Sequence, residues 1–438
     1  EPPKRSVMSR GWTLVLLYPA LAVFLLVFIA YPMIDLFARA LMVDGAFSFA
    51  RMVALVGDPF NRKVFWNTLR LGATVAVLGT ILATFYAYAM TRVALPFKRF
   101  FHFFAMLPTI SPPILMALGL ILLYGRRGLI THGVFGMQTT NLYGFWGLVA
   151  AQLISYFPFA YLLMLNMFRG LDASLEEASS TMGANAAQVL RTVSLPLLVP
   201  GLAGSALLMF SYSFADLGNP LLLGGDYPVM SAQIYLAIIG MYDIPQGSAL
   251  AVILLIPAVL MFFAHKHLSA KASFATVGAK GSSRHRLVTH RPTRIGALVF
   301  VGAVTLVICL QYATVLAGAT TELFGIDHTF TLKHFSAAFS KSGGALFDTF
   351  TLGILSSVLS VVLGLLIAYF VARSKKPGSA AMDFIANMPL AIPGTVIGLA
   401  FALAFNNPPI VMTGTAAIIV FAFTVRSLPY AIRSGVAA

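Results

Sequence analysis

Asp172, Ser174, Glu176 and Glu177, with Gly183, Asn185 and Gln188 after them, crowd polar groups into residues 171–202 of a chain that is 59% hydrophobic and 10% charged. Their spacing suits helix capping and docking rather than the making or breaking of bonds. Ser174 with Glu177 three residues on reads as a capping box, and Leu175, Ala178 and Met182 then share one helical face. Gly183 stops that helix. Asn185 with Gln188 caps a second short helix carrying Val189, Leu190 and Val193, and Pro196 ends it as the chain re-enters the membrane. The expected product is a helix-turn-helix, apolar on one side and acidic at its start. An interfacial hairpin that merely closes a loop is the simpler reading, but helices lying on lipid favour Lys and Arg on the polar face. Asp172, Glu176 and Glu177 fit a protein partner better.

Few other residues offer chemistry. Asp216 lies 20 residues after Pro196, roughly 30 Å of helix at 1.5 Å per residue, near the outer interface. Beside Gly218, Asn219 and Pro220 it reads as a helix terminus held by local side-chain bonds, and alternatively as a ligand on a solute's path with Asn219. Pro108, Pro112 and Pro113, and again Pro389, Pro393 and Gly394, interrupt an apolar segment, as a broken helix lining a pathway would or as packing kinks would. The eight His residues show no metal spacing, so no metal site is assigned. No G-x-x-x-x-G-K-[ST] phosphate loop occurs, and no soluble stretch could hold an ATPase or solute-binding domain. The outer loops mix Arg39, Arg51, Arg62, Lys63, Arg126 and Arg127 with Asp35, Asp44, Asp58, Asp226 and Asp243, a balance that selects neither cation nor anion.

The elements that position these residues are membrane helices. A mean hydropathy of +0.88 exceeds what a soluble core of this size needs, and apolar runs of about 20 residues cross the hydrocarbon. Ten are expected, near 12–31, 65–90, 103–124, 143–165, 197–218, 247–264, 295–316, 346–371, 383–404 and 413–430. They must be helical, because backbone groups in lipid bond internally. With the N-terminus cytoplasmic, inner loops hold 20 of the 29 basic residues, Arg92, Arg373, Arg426 and Arg433 among them. That asymmetry accounts for much of the +15 charge without nucleic acid. The first apolar run lacks a small-x-small cleavage site and reads as a retained helix rather than a signal peptide. Cys309, alone in its type, reads as a packing residue within a span. A start at Glu1 rather than Met suggests numbering inside a longer gene product.

A duplication organises the spans. A shift of 281 pairs Thr68 with Thr349, Gly72 with Gly353, Tyr88 with Tyr369, Arg92 with Arg373, Pro108 with Pro389 and Pro112 with Pro393. After a shorter outer loop the shift becomes 271, pairing Pro158 with Pro429. The expected division is a six-helix unit over 1–264, a basic cytoplasmic linker over 265–294 and a second unit over 295–438. Six spans per unit make the copies parallel-related. Glu177 would have its counterpart near position 448, so the second unit reads as truncated before its own polar loop.

Glu177-Ala178-Ser179, Gly183 six residues after the Glu, and Val193-Ser194-Leu195-Pro196 resemble the EAA loop of permease subunits in binding-protein-dependent ABC importers, with Ser179 for the second Ala and Val193 for Ile. The fused arrangement, with residues 212–220 and 273–281, resembles the double-length permeases of the iron(III) type. The resemblance implies an all-α polytopic membrane protein of MetI-like type in the bacterial inner membrane. It implies that Ser174, Glu176, Glu177, Ala178, Ser179, Gly183, Leu195 and Pro196 couple to a separate ATPase, present in two copies and holding ATP and Mg. It further implies a periplasmic solute-binding protein as partner, and iron(III) as solute, with phosphonates and sugar phosphates as alternatives. Asp216, Asn219, Pro112, Pro113 and Pro393 are the pathway candidates. An ion-driven secondary transporter would need ionisable residues at mid-membrane, which the expected spans nearly lack away from their ends. A membrane-embedded scaffold would carry no solute at all.

Overall fold

The computed structural model describes residues 7–43, 45–276, 287–373 and 378–437. Lys4, Arg5, Asp44, Lys280, Arg284, Arg286, Lys375, Lys376 and residues 277–281 of the linker stretch lie outside the described residues. Among those described, nine helices are long and apolar enough to cross a membrane. They are Leu16–Leu41, Pro59–Arg92, Pro113–Val134, Phe145–Gly170, Arg191–Ala215, Ile244–Ala264, Arg291–Ala319, Lys333–Arg373 and Ala416–Val436. The chain is a polytopic, all-α membrane protein, its strands confined to two short antiparallel ribbons.

Two expected spans are not straight crossings. The run at 103–124 divides into a helix over Lys98–Met106, a 3-10 turn over Leu107–Thr109 and a helix from Pro113 to Tyr124. The run at 383–404 divides likewise into Ser379–Leu390 and Gly394–Ala404, which meet at 111°. Pro112 and Pro393 are the N-caps of the second pieces, in extended conformation. Pro stops the preceding helix yet suits the start of the next, since its missing N–H has no partner to lose there.

The boundaries repeat with the shifts seen in sequence. Helices ending at Arg92 and Arg373, starting at Lys98 and Ser379, and starting at Pro113 and Gly394 are each 281 apart. Phe145 and Ala416 begin the next pair 271 apart. Compactness groups the chain differently from the duplication. One unit gathers Glu1–Asp58, Ile234–Val259 and Ala337–Ala438, and the other Pro59–Gln233 and Leu260–Ser336.

In the second of these units, Pro59–Arg92, Phe145–Gly170 and Leu195–Ala215 bury Tyr86, Phe157, Tyr161 and Phe214. Tyr86 donates to the carbonyl of Phe101 and meets Thr305 at 3.2 Å, and Ser111 meets the Tyr312 hydroxyl at 2.5 Å. In the first unit the Lys333–Arg373 and Ala416–Ala437 helices touch through Gly364, where an added Cβ would lie 2.4 Å from that of Ala431. Arg426, counted above with the inner loops, is instead the eleventh residue of that 22-residue helix. The span tolerates it because its guanidinium donates to the carbonyls of Pro389 and Ile392, at 3.4 and 3.0 Å, which the broken helix leaves free.

Candidate functional site

The polar loop folds as two short helices, Ala173–Thr181 and Ala186–Val189. The N-cap of the first is Asp172, whose Oδ1 accepts from the Ser174 backbone N–H at 2.9 Å. This corrects the Ser174–Glu177 box, since an Asp two residues earlier already satisfies the exposed donor and adds a charge favourable at the helix start. The second cap is the reciprocal one expected. Gln188 N–H donates to Asn185 Oδ1 at 3.0 Å, and Asn185 N–H to Gln188 Oε1 at 2.8 Å.

Gly183 makes the corner. Its φ of +92° is a left-handed conformation that only glycine enters cheaply. Gly183 N–H then reaches the carbonyl of Ser180 and Ala184 N–H that of Ser179, a Schellman closure of the first helix. The expectation that Pro196 terminates the second helix is corrected. The backbone passes through a π-helical turn at Leu190–Ser194 directly into Leu195–Ala215, with Pro196 in the first turn of that segment. The loop is therefore continuous with a membrane span on its C-terminal side.

One ion pair ties it down elsewhere. Arg92, 6% exposed at the end of Pro59–Arg92, points Nη2 at Glu176 Oε1, 3.4 Å away, and at the carbonyl of Phe168, 3.5 Å away. Ser194 donates to the same Glu176 oxygen at 2.8 Å. Glu176 thus clasps the first short helix to the ends of three spans, those finishing at Arg92 and Gly170 and that beginning at Arg191. Backbone pairing of Val288 with Arg92 and Ala94 seats the end of the linker at the same spot.

Around the clasp, Ser174, Leu175, Glu177, Ala178, Gly183, Leu195 and Pro196 are exposed, with Ser179 half-buried. Met182 is 88% exposed. Apolar and acidic side chains are thus exposed together on a loop capped at both of its short helices. Sequence reasoning missed Arg92 and Ser194 here, although a basic residue closing a span at a repeated position is a signal.

Asp216 caps the Leu195–Ala215 helix and is buried, 5% exposed. Gln152 Nε2 and Asn219 Nδ2 donate to its Oδ2 at 2.8 and 2.7 Å, Asn219 N–H reaches Oδ1, and Ser213 donates to Gln152. The structure brings Asp216 and Asn219 together as a locally bonded terminus, with Asn219 Oδ1 left unpartnered. Pro112 and Pro113 sit at the helix break of one compact unit and Pro393 at that of the other. No cluster of three or more His, Cys, Asp or Glu able to hold a metal occurs among the described residues.

Residues 76–273 match the family described as binding-protein-dependent transport system inner membrane component. The chain is 32% identical over 431 residues to the ferric transport system permease protein FbpB of Actinobacillus pleuropneumoniae, covering 95% of this chain and 62% of that one. It is also 32% identical to a putative ferric transport system permease protein of Haemophilus influenzae, covering 94% and 66%. The chain thus spans just under two thirds of these relatives' length. A bacterial alginate ABC transporter, solved in complex with a pentasaccharide-bound periplasmic protein, contains a chain of like fold. Its TM-score is 0.52 at 17% identity, over 62% of this chain and 98% of that one.

Proposed function

Since the chain belongs, through residues 76–273, to the binding-protein-dependent transport system inner membrane components, we propose that it is the fused membrane subunit of an ATP-driven importer of iron(III). A periplasmic binding protein delivers the solute, and two copies of a separate ATPase, holding ATP and Mg, dock on the inner face, where the N-terminus also lies. The chain itself makes and breaks no bonds. The observation that carries this reading is the clasped loop. An exposed, doubly capped helix-turn-helix is joined through Arg92, Glu176 and Ser194 to three spans, so a push on the loop is delivered to helices rather than absorbed by a flexible connection. Glu177, Ala178, Met182 and Gly183 form the contact, while Leu195 and Pro196 begin the lever. The iron(III) assignment is supported by the ferric permeases at 32% identity.

Reconstitution of the full-length protein in proteoliposomes with its ATPase and binding protein tests the proposal. The expected result is ATP-dependent accumulation of iron(III). Flux that persists without ATP overturns it in favour of a secondary transporter, and accumulation only of a phosphonate or sugar phosphate overturns the substrate.

A further inference from the structure

We propose that the face formed where the helices Lys98–Met106 and Arg291–Ala319 begin is a binding site for an anionic phospholipid, whose phosphate meets Lys98, Arg99, Arg291 and Arg294. The face lies in the compact unit that carries the polar loop. It adds a ligand to the permease reading and stands without it.

The chain path brings the two helix starts together. Val288 N–H donates to the carbonyl of Arg92 at 2.8 Å, and Ala94 N–H to that of Val288 at 3.1 Å. Lys98 follows this bonded pair by four residues and Arg291 by three, about 13 Å of chain at most even when fully extended. Further along, the Tyr86 hydroxyl donates to the carbonyl of Phe101 and meets Thr305, so it touches the same two helices in the same order. They therefore run side by side in one direction. Arg99, Arg291 and Arg294 are exposed and Lys98 is half-buried. Residues 59–171 and 244–321 contain no Asp or Glu, so the positive charge is undiluted on both elements.

Along each helix the charge comes first and exposed apolar surface follows. Phe100 and Phe103, 52% and 59% exposed, come after Lys98 and Arg99. Ile295 and Val299, 61% and 66% exposed, come after Arg291 and Arg294. A phospholipid has the same order, an anionic phosphate and then acyl chains. Guanidinium forks take phosphate oxygens two at a time, and clustered cations at a membrane surface favour anionic lipid. A soluble partner gives no reason for charge and apolar surface to succeed one another along both helices. Phe97 extends the pattern. Its ring is 79% exposed although its φ of +52° is left-handed and costly for a residue with a Cβ.

The duplication supplies the control. At a shift of 281, Gly378, Ser379, Ala380 and Ala381 stand in the places of Phe97, Lys98, Arg99 and Phe100, and only Phe103 keeps an aromatic counterpart, Phe384. The helix Ser379–Asn387 nevertheless has the same length and the same left-handed residue before it. The broken-helix fold thus needs neither the two cations nor the two rings, and glycine takes the left-handed position without strain.

Lipid retention tests the proposal. Purified full-length protein in detergent is titrated with phosphatidylglycerol and, separately, with phosphatidylcholine, and native mass spectrometry counts the lipid retained. Phosphatidylglycerol should be held at least tenfold more tightly. Combining Lys98→Gln, Arg99→Gln and Arg294→Gln should bring the two lipids within about threefold. Phe97→Gly suits the backbone and should weaken phosphatidylglycerol retention several-fold without lowering the Tm, which a packing role would not allow. Equal retention of both lipids by the wild type overturns the inference, and so does an undiminished preference in the triple variant. Should that variant fail to fold, wild-type retention by both Arg99→Gln and Phe97→Gly overturns it equally. Unchanged retention with loss of ATPase binding would assign the face to a protein partner and also overturn it. No solute flux enters these readouts, so failure of the permease reading would show separately, as uptake that ignores ATP.

Discussion

Glu176 and Glu177 are adjacent carboxylates of the same charge in opposite surroundings. Glu176 turns inward to Arg92 and Ser194, whereas Glu177 is exposed. Glu177→Lys should leave the clasp intact and weaken ATPase docking about tenfold, one contact of roughly 1.4 kcal/mol. Sedimentation of the two proteins in detergent measures this. Glu176→Gln should leave docking within about twofold, because Glu177, Ala178, Met182 and Gly183 are untouched. It strands the buried Arg92 guanidinium without its counter-charge, at about 1–3 kcal/mol. The expected readout is more ATP hydrolysed per solute moved. Equal effects of the two variants on docking would contradict the division of roles.

Asp216→Asn retains an acceptor for Gln152 and Asn219 and should transport nearly as the wild type does. Asp216→Leu leaves those buried amides unpaired, about 1–3 kcal/mol each, and should lower the Tm in detergent. Abolished transport by the Asn variant alone would make Asp216 a solute ligand. The local bonds around Asp216 were legible in sequence from Asn219 and Gly218. Gln152 was not, because its contact with Asp216 spans 64 residues and no local pattern encodes it.

Among the elements, glycine decides how closely helices approach. At Gly364 an added methyl meets the Cβ and backbone of Ala431, whereas at Gly79 it meets chiefly the flexible end of Met209. Gly364→Ala should therefore cost about 1–3 kcal/mol and Gly79→Ala distinctly less, since a methionine tip can swing aside and a helix backbone cannot. Thermal unfolding of the two variants side by side checks the order. Spans and the second cap were readable, because hydropathy and the Asn185–Gln188 spacing are local signals. The first cap was misassigned by two residues because Asp172 and Ser174 both suit an N-cap, and only the backbone path chooses. Pro196 was read as a terminator, yet Pro in a first turn is equally a start signal, and the π-helical turn at Leu190–Ser194 joined loop to span.

For the whole molecule, one cysteine makes topology measurable. In a Cys309→Ser background, Ser180→Cys adds a thiol on the exposed side of the first loop helix. An impermeant maleimide should label it in inside-out vesicles and not in right-side-out ones, and added ATPase should protect it. Labelling from the outer side would reverse the orientation. The sequence by itself determined the membrane class, the duplication and the place of the polar loop, because hydropathy, period and short motifs are properties of neighbouring residues, whereas the ten spans it led one to expect became nine straight apolar helices and one bent pair among the described residues. Tertiary structure alone decided that Glu176 rather than Glu177 holds the loop, that Arg426 stands within a span, and that Glu1–Asp58 shares a compact unit with Ala337–Ala438. Each depends on contacts between residues far apart in the chain. Such contacts follow from which apolar faces and freed carbonyls meet in space, and no local pattern records that.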